Sequence, residues 1–148
     1  METTPVLSGL HLWARDIERT VAFYRAVGLE IDDPFEGEFV NATLANGLSL
    51  AIGSYPLTHR YDPSFVPPTG SKGAVALQFD LESRPAVDEM YQHLTSAGHA
   101  GHLAPIDAFW GSRYAEVSDP DGNVVGFHSP REALVSYPAS SASSAGCG

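Results

Sequence analysis

The sequence predicts an α+β fold made of two βαβββ modules, and three observations carry that reading. Two segments with apolar residues at helical spacing each follow an alternating strand and end at a glycine. One runs from Asp16 to Val27 before Gly28, the other from Ser83 or Arg84 towards Gly98. Near the end, DAFWGSRYAEVSDPDGNVVGFHSP reads as two strands around the tight turn Asp119-Pro120-Asp121-Gly122. The order strand, helix, glycine and three strands then occurs twice, at an offset of about seventy residues, longer than solenoid repeats run. The resulting boundaries are residues 1–53 for the first module, 54–72 for a connector, 73–130 for the second module and 131–148 for a tail.

In the first module, Val6 to Ala14 alternates, with Leu10, Leu12 and Ala14 on one side and Gly9, His11 and Trp13 on the other. Asp16 is placed to cap a helix whose apolar positions are Ile17, Val21 and Tyr24. Leu29 to Asp32 is expected as a short strand before a turn at Asp33-Pro34. Glu38 to Leu44 alternates with Val40, Ala42 and Leu44 inward, and Asn46-Gly47 marks a hairpin into a strand carrying Leu48, Leu50 and Ile52. The segment Ser54 to Lys72 holds four prolines and little periodicity, so it reads as a connector.

The pattern restarts with Val75, Leu77 and Phe79 opposed to Ala74, Ala76 and Gln78. Pro85 suits the first turn of the second helix, whose apolar stripe is Val87, Met90, Tyr91 and Leu94. Strands are expected at His102 to Ile106, Ser112 to Ser118 and Asn123 to Ser129. Ala115, Val117, Val125 and Phe127 form the packed face of the last two. Tyr114, Glu116, Val124, Gly126 and His128 form the other face, where function is expected.

Composition excludes several classes. A net charge of -10 with only eight Lys and Arg argues against nucleic acid. No apolar run approaches the ~20 residues of a membrane span. The start METTPVLSGL has no basic region followed by an apolar one, so no signal peptide is read and the cytoplasm is the expected compartment. The single cysteine, Cys147, cannot form an internal disulfide or a cysteine-based zinc site. The small-residue tail YPASSASSAGCG has little to bury and is expected to be disordered. No glycine-rich phosphate loop and no GxSxG elbow occurs, and His59, His93, His99 and His102 are expected at the surface.

The paired module order, ARDIERTVAFYRAVGLE after the first strand and SDPDGNVVGFHSP at the end together resemble the vicinal oxygen chelate superfamily. That superfamily includes glyoxalase I, extradiol dioxygenases, fosfomycin-resistance enzymes and bleomycin-resistance proteins. The resemblance covers roughly Val6 to Pro130 and implies a curved mixed sheet around a cavity, commonly within a homodimer. Catalytic members bind a divalent metal through the first, fourth, fifth and eighth strands. Carried over, those positions fall on Gly9, on Ser49 or Ala51, on Ala74 and on Gly126. None of these offers a good ligand, so no metal or other cofactor is expected. The alternative is a relocated site at His11, Glu116 and His128, holding a divalent metal such as Fe, Zn, Ni or Mn.

The implied cavity combines small residues with flat ones. Trp13, Phe39, Tyr114 and Trp110 supply π faces, and His11, Asn41, Gln78 and His128 supply polar groups. Asp107 has two readings: a structural partner of the turn and of Arg113, or a border of the ligand site together with Trp110. Glu116 belongs to the same list. This set suits a bulky planar or amphipathic small molecule, aromatic or cationic. The expected function is metal-independent sequestration of a natural product or antibiotic, as in bleomycin resistance. The alternative is a lyase, isomerase or dioxygenase, using either the relocated metal site or a histidine acid/base.

Overall fold

A computed structural model describes residues 4–69 and 75–132. Ala74, Cys147 and most of the tail lie outside these residues. The described chain is α+β: seven strands in two mixed sheets, with three helices. It divides into two compact units, Met1–Lys72 with Asp119–Gly122, and Gly73–Ser118 with Asn123–Gly148. Among the described residues, no helix is long and apolar enough to cross a membrane.

Unit one begins with β1 (Gly9–Ala14) and α1 (Ile17–Val27), followed by β2 (Phe39–Thr43), β3 (Ser49–Ser54) and α2 (Tyr55–Tyr61). The sheet order is β1-β3-β2, with β1 parallel and β2 antiparallel to β3. The side chain of Asp16 accepts from the Arg19 amide, which starts α1, and Gly28 ends it at φ 118°, a left-handed position glycine adopts without strain. Leu12, Ala14, Val40, Ala42, Leu50 and Ile52 alternate into the core against Val21 and Tyr24 of α1. Each such large side chain contributes about 1.5–3 kcal/mol when fully buried.

Two expectations are corrected here. Leu29 to Asp32 forms no strand. The Ile31 carbonyl accepts from Arg25 Nε at 2.9 Å in place of a ladder partner, although the Ile31 side chain is buried. The segment read as a connector contains α2, capped by Ser54, whose Oγ accepts from the Leu57 amide at 3.2 Å, with Pro56 in the first turn.

The turn Asp119-Pro120-Asp121-Gly122 groups with unit one, and its carboxylates bond to α1 and to the residue before its cap. Tyr24 donates to Asp119 Oδ2 at 2.7 Å, Thr20 donates to Asp121 Oδ2 at 2.5 Å, and the Arg15 amide donates to Asp121 Oδ1 at 2.9 Å. Gly122 closes the turn at φ 88°, its amide donating to the Asp119 carbonyl.

Unit two contains β4 (Ala76–Asp80), α3 (Arg84–Ser96), β5 (Ala100–Asp107), β6 (Arg113–Ser118) and β7 (Val124–His128), the expected βαβββ order. The sheet order is β4-β7-β6-β5, with β4 parallel to β7 and the other pairs antiparallel. Ser83 caps α3, with Pro85 in its first turn. Val87 and Leu94 of that helix are fully buried, as are Ala115, Val117, Val125 and Phe127 of the sheet. The packed face is therefore the one that alternation assigns.

Candidate functional site

Each sheet has a second face, and the residues singled out from the sequence lie there. In unit one the centre of that face is small: Ser49, Ala51 and Gly53 of β3. Register sets His11 and Asn41 on either side of Ala51, and Trp13 and Phe39 on either side of Gly53. Because Gly53 has no side chain, the His11 ring lies over it; an added Cβ would stand 2.9 Å from Nε2. The rings form a run: His11 to Phe39 at 6.2 Å, His11 to Trp13 at 5.8 Å, Trp13 to Phe65 at 5.9 Å and Phe65 to Tyr55 at 5.5 Å. The Arg15 guanidinium closes it, 5.3 Å from the Tyr55 ring centroid. Burial of the His11 ring lowers its pKa, so it favours the neutral form, with one nitrogen donating and the other accepting.

In unit two, Gln78, Tyr114, Glu116, Gly126 and His128 share the second face, with Asp80 two residues along from Gln78. Gln78 Nε2 donates to the Tyr114 hydroxyl at 3.1 Å, which donates to Glu116 Oε2 at 2.6 Å. Glu116 Oε1 lies 3.5 Å from His102 Nε2. Burial, reinforced by the bond to Glu116, raises the pKa of Tyr114, so this hydroxyl remains a donor at neutral pH. His128 Nε2 lies 3.1 Å from Asp80 Oδ1, its register partner across the parallel pair. The Trp110 ring stands 5.3 Å from Tyr114 and 5.1 Å from Phe109, edge-on to both.

A cavity of about 460 Å³ opens in this unit, lined by Trp110, Ser112, His128, Asp80 and Arg131, with Leu81, Ser129 and Pro130 completing the wall. Its volume falls in the range of small-molecule pockets, about 300–1,000 Å³. Asp107, read from the sequence either as a partner of Arg113 or as a border of the ligand site, does pair with Arg113. Its carboxylate receives Arg84 and also Arg113 Nη1, the latter at 3.1 Å, and Arg113 Nε reaches Asp88 at 2.9 Å.

The family model for the Glyoxalase/Bleomycin resistance protein/Dioxygenase superfamily matches residues 7–127. The chain belongs to that superfamily. A glyoxalase-related enzyme from Fulvimarina pelagi has the same fold, with a TM-score of 0.71 at 20% identity, covering 88% of this chain and 89% of that one. A hypothetical protein from S. aureus gives 0.70 at 17%, covering 88% and 95%. A lactoylglutathione lyase from Agrobacterium tumefaciens gives 0.63 at 23%, covering 86% and 96%. No curated protein matches the chain.

Membership of this superfamily raises the question of a metal, and the donor set does not fit one. At Gly9 an added Cβ would meet Ser49 Oγ and stand 2.5 Å from the Ser49 carbonyl oxygen. At Gly126 it would stand 2.7 Å from both Gln78 Oε1 and the Tyr114 hydroxyl. A ligand side chain at either position would displace groups already packed there. Among the described residues, no group of three or more His, Cys, Asp or Glu side chains is placed to hold a metal ion. Glu116 is engaged by Tyr114 and His102, and His128 by Asp80.

Several residues of these faces escape sequence reasoning. Asp80 was accessible to it, since it alternates with Gln78 on β4. His102 was not, because β5 shifts register between Gly101 and Leu103, against Val117 and Glu116. Phe65 and Arg131 lie outside regular elements, where no period applies.

Proposed function

We propose that this protein binds and sequesters a bulky aromatic or cationic small molecule without a metal, acting in the cytoplasm as a homodimer. The observation that carries the reading is the cavity of about 460 Å³ in unit two, with an indole on one wall and polar side chains around it. A flat wall and few polar groups favour affinity through stacking and shape. The ring run of unit one, centred on Ala51 and Gly53, offers a second apolar surface of the same character. Sequestration of an antibiotic fits such surfaces, and bleomycin resistance proteins belong to the same superfamily.

The test uses the protein's own fluorescence, since its two tryptophans stand one in each unit. Planar and cationic natural products are titrated against the wild-type chain and against Trp110→Ala. Loss of the indole is expected to weaken binding by about fivefold or more, the effect of truncating a residue that carries over 1 kcal/mol. An unchanged dissociation constant overturns the assignment of the cavity.

A metal-free acid–base enzyme is the second reading, favoured by the chain from Gln78 through Tyr114 and Glu116 to His102. It predicts turnover of a bound ligand that is lost in Glu116→Gln while binding is retained. Sequestration predicts that the ligand is recovered intact.

A further inference from the structure

We propose that unit one carries a binding site of its own for a small carboxylate, formed by the Arg15 guanidinium and the Tyr55 hydroxyl. The site is a cavity of about 260 Å³ lined by Arg15, Tyr55, Pro68, Pro120, Asp121 and Gly122, all within unit one. It shares no lining residue with the cavity of unit two. Arg15 follows β1, Tyr55 opens α2, and the DPDG turn supplies the other charged group, Asp121. Pro68 and Pro120, with their fixed φ, give stiff walls that need little ordering when a ligand enters.

Both donors lack an acceptor. Arg25, Arg60, Arg84 and Arg113 each meet a carboxylate. The Arg15 guanidinium meets none among the described residues; it lies 5.3 Å from the centroid of the Tyr55 ring. That contact orients the charged fork beside the cavity and leaves its N–H groups for a ligand. The Tyr55 hydroxyl likewise bonds to nothing among the described residues. Burial raises its pKa, with Asp121 adding to the effect and Arg15 opposing it, so the hydroxyl donates at neutral pH.

Asp121 lines the same cavity without forming an ion pair with Arg15. Its Oδ1 accepts from the Arg15 amide at 2.9 Å and its Oδ2 from the Thr20 hydroxyl at 2.5 Å. It therefore fixes the Arg15 backbone at the rim and leaves the guanidinium to the ligand. At a distance the charges of Arg15 and Asp121 offset each other, so the net charge of -10 sets the field a ligand crosses. That field repels a dianion twice as strongly as a monoanion, which favours a carboxylate over phosphate. The two oxygens of a carboxylate also match the guanidinium fork and still accept from the hydroxyl.

The experiment titrates propionate, propionamide and inorganic phosphate into the full, isotope-labelled chain at neutral pH and constant ionic strength, following amide shifts by NMR. Propionate is expected to give saturable shifts at Arg15, Asp121 and Gly122, with phosphate weaker and propionamide silent. Arg15→Gln and Tyr55→Phe should each weaken propionate by about tenfold or more, as for loss of a hydrogen bond to a charged group. Tyr55→Phe keeps the ring beneath Arg15 and removes a hydroxyl that holds nothing in the fold. Arg19→Gln is the control for overall charge, since Arg19 is exposed on α1 and lines no part of the cavity. It should leave the affinity unchanged, and the spectra check that every variant folds. Equal losses in Arg15→Gln and Arg19→Gln overturn the site, as do shifts that never saturate or an unaltered affinity in Tyr55→Phe. Tighter binding of phosphate than of propionate overturns the carboxylate class.

Discussion

Gly9 and Gly126 occupy the two best-defined positions where catalytic relatives would present metal ligands, and the reason each is glycine can be tested. At Gly9 the added Cβ would stand 2.5 Å from a backbone oxygen of β3, which cannot yield without bending the strand pair. Gly9→Ala is therefore expected to cost about 1–3 kcal/mol, the scale of overpacking. A gain of about 0.4–1 kcal/mol from a stiffer unfolded chain offsets part of this. At Gly126 the atoms in the way are the tips of Gln78 and Tyr114, which can swing aside. Gly126→Ala should lose mainly the Gln78–Tyr114 bond, about 1 kcal/mol. Urea unfolding of both variants checks this order, and a larger loss at Gly126 would contradict it.

At the scale of elements, the DPDG turn illustrates what a sequence pattern conveys and what it leaves out. Pro120 and Gly122 announce a turn, and the turn forms. Nothing local announces that Asp119 will be 4% exposed and bonded to Tyr24, because that partner lies 95 residues away. Burial, with Asp119 and Asp121 adding to it, pushes the Tyr24 hydroxyl far above the phenol range, so it donates at every ordinary pH. Tyr24→Phe removes a bond to a buried carboxylate and should cost about 1.5–3 kcal/mol in chemical denaturation. A loss within a few tenths would show that the turn is held by Thr20 and Arg15 alone. The same contrast explains the two misread segments. α2 carries the start signals Ser54 and Pro56, but seven residues are too few for periodicity to declare a helix. Leu29 to Asp32 has apolar residues, yet the Ile31 carbonyl bonds to Arg25 in place of a strand.

For the molecule as a whole, alternation alone assigns His11, Trp13, Phe39 and Asn41 to one face, and the register confirms that placement because period two is a local property. What alternation cannot supply is the company those residues keep, such as Phe65 beside Trp13 or His102 beside Glu116. The same limit governs the metal question. The resemblance places the usual ligand positions on residues that offer no good ligand, whereas the structure shows what fills the space at Gly9 and Gly126. The relocated set would use His11, Glu116 and His128. Two of these are already engaged by Tyr114, His102 and Asp80. Binding a cation through them would break those contacts before any coordination energy is gained. We therefore expect tag-free protein, incubated with Fe(II), Zn, Ni, Mn or Co and then desalted, to retain metal far below stoichiometry by elemental analysis. Stoichiometric metal that disappears in His11→Ala and His128→Ala but persists in His93→Ala would overturn the metal-independent reading. It would leave the glycines at positions 9 and 126 as marks of a centre that moved along its strands.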